Sequence, residues 1–151
     1  MKKQTDPRMH SAEHILNQTM DRMFQCGRCF NAHIEKKKSK CDYRFDRGLT
    51  PQELKEIQTR VNRVIADDLP VTEGHVSHAE ALKNYNTDKL PENAGDTIRI
   101  IHIGDYDACP CIGSHVESTG NIGGFRITSA SFDKDVLRIR CKLSQPGGAS
   151  P

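Results

Sequence analysis

The chain has 151 residues, 35% of them hydrophobic and 28% charged, with a formal net charge of +2. That length suits one domain of ordinary size. The small net charge argues against a strongly basic nucleic-acid binder, and no apolar run reaches the roughly 18 residues of a membrane-spanning helix.

Residues 1–8 read as a loose lead-in without the apolar stretch of a secretory signal. Six cysteines (26, 29, 41, 109, 111 and 141) without such a signal read as free thiols or metal ligands rather than disulfides. A reducing, cytoplasmic location is expected. Residues 9–24 form an amphipathic helix, with Met9, Ala12, Ile15, Leu16, Met20 and Met23 near the 3.6-residue period, and Gly27 ends it. Residues 29–47 read as two short strands around the run Lys36, Lys37, Lys38 and Lys40, with Arg44 and Arg47 nearby. In the second strand Cys41, Tyr43 and Phe45 alternate onto one side. The lysine run is either a solvated hairpin tip or a phosphate contact.

Thr50-Pro-Gln-Glu53 carries an N-cap, a proline at the first helical position and a capping-box glutamate. Leu54, Ile57, Val61, Val64 and Ile65 trace the buried stripe of the helix that follows. Leu69-Pro-Val71 begins an extended segment, and Ser77 or His78 caps a short helix over 79–85. Residues 84–95 read as a polar connection, 97–103 as a strand, and 104–113 as a loop. Two further strands are expected at 125–128 and 135–141, and a disordered tail at 144–151. The expected fold class is α+β, an antiparallel sheet with helices packed on one face.

The chemistry concentrates in two half-sites, His10-Ser-Ala-Glu-His14 and Cys111-Ile-Gly-Ser-His115. A separation of four residues advances about 400° on a helix, so His10 and His14 emerge on one face. Three histidines and a cysteine suit tetrahedral zinc, with ligands about 2.0–2.3 Å away. Cys109 offers a second sulfur, and the spacing to His115 favours Cys111. Glu13 invites comparison with the HExxH metalloproteases, but it directly precedes the second histidine. It lies about 100° around the helix from His14, toward solvent or an outer partner of the site, and is not read as a base. Cys26, Cys29, His33 and Cys41 form a weaker competing Cys3His candidate.

In order, Met9-His-Ser-Ala-Glu-His-Ile-Leu16, Tyr43-Arg-Phe-Asp46, the stretch Leu49–Ile57, Ala108-Cys-Pro-Cys-Ile-Gly-Ser-His-Val116 and Ser118–Ile127 resemble the editing domain shared by alanyl- and threonyl-tRNA synthetases. The chain looks most like the short, free-standing AlaX-type proteins. The resemblance runs over about residues 9–141 and implies a single-domain editing fold, bounded at 9–143, with Zn2+ on His10, His14, Cys111 and His115. It departs from the alanyl enzymes' Cys-Gly-Gly-Thr-His at Cys111-Ile-Gly-Ser-His115. The family's amino-terminal barrel and synthetase modules are not found, so action in trans is expected.

The activity implied is deacylation of alanine tRNA mischarged with serine, or with glycine, with tRNA as the partner and the chain a monomer or weak dimer. His10, His14 and His115 are the catalytic candidates. Bound zinc can activate water and polarise a carbonyl, yet four protein ligands would close its shell. Either one ligand, His115 being the candidate, is loosely held, or zinc only orients the substrate. Thr19 and Ser114 could hydrogen-bond a serine hydroxyl, which a polar pocket reads against alanine. Gly123 and Gly124 could admit the terminal adenosine or simply serve turns. Lys36, Lys37, Lys38 and Lys40 are the RNA-binding candidates. Two other classes stay open: a non-catalytic zinc-stabilised tRNA-binding module, and a hydrolase of small aminoacyl esters.

Overall fold

The computed structural model describes residues 6–87 and 95–145. The side chain of Asp6 accepts the Met9 amide at 3.0 Å and Pro7 occupies the first turn, so helix α1 runs Pro7–Phe24. It thus begins before the expected residue 9, inside the stretch read as a lead-in. A left-handed Gln25 (φ 53°) ends it, and Gly27 follows at φ 76°. Met9, Ala12, Ile15, Leu16 and Met20 are buried, as the periodicity predicts.

Strands β1 (Asn31–Ile34) and β2 (Lys38–Arg44) make the hairpin around the lysine run. Helix α2 (Pro51–Ala66) carries the predicted capping box: Glu53 N–H donates to Thr50 Oγ1 at 3.1 Å, and Thr50 N–H to Glu53 Oε1 at 2.9 Å. Strand β3 (Val71–Ser77) leads into α3 (His78–Asn84), which Ser77 caps. Strand β4 (Thr97–Ile103) is where the pattern put it. The expected 104–113 loop instead contains a strand, β5 (Asp107–Pro110), paired antiparallel to β4. β6 (Phe125–Asp133) and β7 (Val136–Leu143) outrun their predicted bounds and pair with each other across a bulge between Ile127 and Ser129. Most of the connection expected at 84–95 and residues 146–151 of the expected tail lie outside the described residues. Ser144, at the start of that tail, donates its amide to the Gly124 carbonyl at 2.9 Å.

The fold is α+β, and among the described residues the strands form two antiparallel sheets where one was expected, in the orders β1-β2-β7-β6 and β3-β4-β5. Cys41, Tyr43, Leu137, Ile139 and Cys141, on the inner face of the first sheet, share the main core with α1 and α2. Ala81, Ile98 and Ile100 form a smaller core under α3. Arg8 ties the layers together: its guanidinium donates to the Ile122 carbonyl at 2.8 and 2.9 Å and to the Ser144 carbonyl.

Candidate metal centre

The first turns of α1 and the segment after β5 bring the two half-sites into contact. Ligand atoms of His10, His14, Cys111 and His115 all lie within 4.8 Å of one another. A zinc tetrahedron with bonds of 2.0–2.3 Å has edges of about 3.3–3.8 Å. Cys111 Sγ and His10 Nε2 are already 3.3 Å apart.

Each ring is positioned from its Nδ1 side. His10 Nδ1 lies 3.1 Å from the Ser114 carbonyl oxygen, and His115 Nδ1 lies 2.9 Å from Ser11 Oγ. His14 Nδ1 is 3.6 Å from Asp107 Oδ2, too long for a hydrogen bond but well within reach of charge attraction. An outer partner at one ring nitrogen, leaving the other for the ion, is the usual dress of a metal-ligating histidine. His115 Nε2 is buried with no hydrogen-bond partner. Such a group is expensive inside a protein unless something satisfies it. The residues therefore fit a metal ion, on the chemistry of the donor set and on this orphaned nitrogen.

Electrostatics prepare the same site. Burial pushes the Cys111 thiol up, but the contacts of His10, His115 and His14 overcome it and hold the group at about 3, a ready thiolate. Burial pushes His14 down, while Asp107 and Cys111 carry it up to about 9. Burial and the neighbouring histidines take His115 down to about 4 despite the opposing pull of Cys111. Asp107 is fully buried; burial alone would raise it, but His14 and Arg28 hold it at about 2. It accepts from Gln18 at 2.9 Å and from both terminal nitrogens of Arg28 at 2.9 and 3.2 Å. Sequence reasoning missed this aspartate because it fell in the segment read as a loop. Its place four residues before Cys111 was the available signal.

The other candidates fall as follows. Cys111 joins the cluster, while Cys109 stays outside, its thiol pushed up to about 12 by burial. Glu13 is buried, so of the two expected places it takes that of an outer partner of the site and not solvent. Its Oε1 is 3.8 Å from His10 Nε2, and its Oε2 accepts from Asn17 Nδ2 and Cys29 Sγ, each at 3.3 Å. The competing Cys3His set does not come together among the described residues: Cys29 faces Glu13, and His33 pairs with Glu35 at 3.0 Å. Ser114 is exposed beside the cluster. Thr19 is buried, its hydroxyl donating to the Ile15 carbonyl and lying 2.5 Å from Tyr106 Oη. A Cβ on Gly123 would meet the Ser144 carbonyl oxygen at 2.2 Å, and one on Gly124 the Ser144 hydroxyl at 2.5 Å, so these glycines make room for Ser144. His115, the candidate for a loosely held ligand, is braced by Ser11 and stacked on His10 with ring centres 4.2 Å apart. Lys36, Lys37 and Lys38 are exposed and Lys40 half-buried on the β1–β2 hairpin.

Fold and site together define an α+β domain with a three-histidine, one-cysteine centre that could hold a metal ion. Residues 98–140 match the family described as threonyl and alanyl tRNA synthetase second additional domain. It is 31% identical over 132 residues to an alanine–tRNA ligase of Fervidobacterium nodosum, covering 87% of this chain and 15% of that protein. Against the alanine–tRNA ligase of Coxiella burnetii the identity is 33% over 129 residues, 82% of this chain and 14% of that protein. The chain thus spans about 15% of the length of the curated relatives it matches.

Proposed function

We propose that this chain hydrolyses the ester linking a wrong amino acid, serine foremost and glycine second, to the terminal ribose of alanine tRNA, at a zinc ion held by His10, His14, Cys111 and His115. The observation that carries this reading is the convergence of these side chains, from opposite ends of the chain, in a domain related to alanine–tRNA ligases. When bound, zinc supplies Lewis-acid polarisation of the ester carbonyl. The rest falls to the protein. Ser114, Asp107 and Ser11 orient the three rings, and Cys111 presents a thiolate without having to lose a proton at neutral pH. Ser114, exposed beside His115, is the hydroxyl proposed to read a substrate serine. Thr19, Gly123 and Gly124 contribute in this reading through the walls they build with Tyr106 and Ser144. Lys36, Lys37, Lys38 and Lys40 contact the tRNA backbone, and the work is done in the cytoplasm.

The test is incubation with serine-, glycine- and alanine-charged alanine tRNA and with mischarged threonine tRNA. The protein is used as purified, after a chelator, and after zinc is returned. Release of serine that the chelator abolishes and zinc restores, with alanine spared, is the expected result. Intact seryl ester under every condition overturns the proposal. One observation favours a second reading, a non-catalytic zinc-stabilised tRNA-binding module: four protein donors suffice to close a tetrahedral shell. Zinc absorption spectra showing the same four-ligand shell with and without a substrate analogue would support it.

A further inference from the structure

The outer face of the β1-β2-β7-β6 sheet carries a second chemistry. Strand residues alternate between faces, so the burial of Cys41, Tyr43, Ile139 and Cys141 against α1 and α2 turns Lys38, Lys40, Arg140 and Lys142 outward. The ladder registers set them in rows. Lys38 stands opposite Lys142, and Lys142 opposite Arg126; in the next row Lys40 stands opposite Arg140. Neighbouring strands are about 4.8 Å apart, and same-face residues along a strand about 6.8 Å. Five cations therefore share one small patch.

Like charges directly opposite each other destabilise a sheet. One row further on the fold neutralises such charge, where Asp42 takes Arg138 in a two-pronged pair at 2.8 and 3.0 Å, and in the row after that Arg44 lies over the Phe30 ring. None of the five makes an ion pair among the described residues. The nearby Glu35 is engaged with His33. A solvated face would ordinarily intersperse both signs; these rows hold one sign and lack the partners found beside them.

We propose that this face binds the phosphate backbone of an RNA, an inference that rests on the reading above of aminoacyl-tRNA as the substrate. The patch goes beyond the hairpin lysines to Arg126, Arg140 and Lys142, on strands distant in sequence. Its position suits the task. The Lys38–Lys142–Arg126 row lies at the end of the sheet that Arg8, through Ser144, ties to the start of α1, two residues before His10. A polyanion anchored across that row has the metal-capable cluster at the same end of the fold.

The experiment titrates uncharged alanine tRNA with the full chain by fluorescence anisotropy at several salt concentrations. It compares the wild type with Arg126→Ala/Arg140→Ala/Lys142→Ala and with the charge-keeping Arg126→Lys/Arg140→Lys/Lys142→Arg. The alanine variant is expected to bind about tenfold or more weakly at low salt, with a salt slope shallower by about 2–3, near one per lost phosphate contact. The charge-keeping variant is expected to bind like the wild type. Hydrolysis of a seryl ester of adenosine, too short to reach the face, should be equal in all three. Wild-type affinity and slope in the alanine variant overturn the proposal, as does wild-type protein that binds anionic phospholipid vesicles but no tRNA. Face-dependent tRNA binding by a chain that hydrolyses neither ester supports the face and defeats the hydrolase reading. Zinc-dependent deacylation of tRNA that the alanine variant performs at the wild-type rate and affinity defeats the face alone.

Discussion

Replacing Asp107 by asparagine keeps the size and one acceptor of the side chain and removes the charge 3.6 Å from His14 Nδ1. The carboxylate is fully buried and clamped by Gln18 and Arg28, so no solvent charge can stand in for it. Outer partners of this kind typically change metal affinity by about 10–100-fold, or roughly 1.4–2.8 kcal/mol at about 1.4 kcal/mol per factor of ten. Asp107→Asn is therefore expected to weaken zinc binding by that factor, read by competition with a chromophoric chelator at fixed pH. The substitution also deprives the largely buried Arg28 of its counter-charge, so the metal-free protein should unfold at a lower temperature. The affinity is accordingly measured on protein shown to be folded by circular dichroism. Zinc affinity within twofold of the wild type in folded Asp107→Asn would refute the idea that this aspartate sets the His14 ring for a metal.

A Cβ at Gly113 would fall 2.3 Å from His10 Cε1 and 2.6 Å from its Nδ1. Gly113→Ala should displace the ring and reduce zinc affinity more than a Gly48→Ala control, whose Cβ meets Phe132 at an ordinary 3.7 Å; the same chelator competition checks this. Tyr43→Phe removes the 2.7 Å bond that the buried hydroxyl donates to Asn17 Oδ1, which keeps the Cys29 amide as a partner. With no orphan left behind, the loss should be about 1 kcal/mol, seen as a fall of about 2–4 °C in Tm for a chain this size. Glu53 is held down at about 2 by the hydrogen bonds of Arg47 and then by the Thr50 amide. A carboxylate with a depressed folded pKa stabilises above its unfolded value, near 4.5, and loses that contribution as pH falls through about 2. Glu53→Gln should therefore lower Tm at pH 7 and flatten the decline of Tm between about pH 5 and 2. An unchanged acid limb counts against the Arg47–Glu53 pair.

Local signals in this chain are readable because each acts over one or two turns. The capping box at Thr50 and Glu53, the Ser77 cap and the stripe from Met9 to Met20 are all decided by neighbours in sequence. The pairs His10/His14 and Cys111/His115 were legible for the same reason. Strand β5 was not: Asp107–Pro110 is four residues long and ends in proline, so its status depends on β4 alongside. Its misreading as a loop hid Asp107. Glu13 was half legible: of its two expected places, solvent or an outer partner of the site, it takes the second. The helical wheel placed it away from His14, but not what would stand opposite, and Asn17 and Cys29 supply polar partners that make burial tolerable. Basic rows on β6 and β7 were invisible because single arginines and lysines become a patch only once register is known.

The distance in sequence between the half-sites has a thermodynamic consequence. His10 and His14 belong to a helix held to the rest of the fold by Arg8, Gln18 and Arg22, whose partners Ile122, Asp107 and Tyr106 all lie beyond residue 105. Ser11 in turn receives the Val116 amide at 3.2 Å while bracing His115. The donor cluster thus exists only when α1 is docked on the segment that follows β4, and an unfolded chain presents two separate pairs of weak ligands. An ion that binds the folded state alone stabilises it by RT ln(1 + [L]/Kd), about 2.7 kcal/mol at a hundredfold excess over Kd. For a domain of this length that corresponds to about 5–10 °C in Tm. The gain should shrink sharply in His14→Ala or Cys111→Ala and survive in Cys109→Ala, whose sulfur is outside the cluster. An equal zinc-induced rise in all three variants would mean that the ion binds elsewhere, and the convergence of the two half-sites would then carry no metal chemistry.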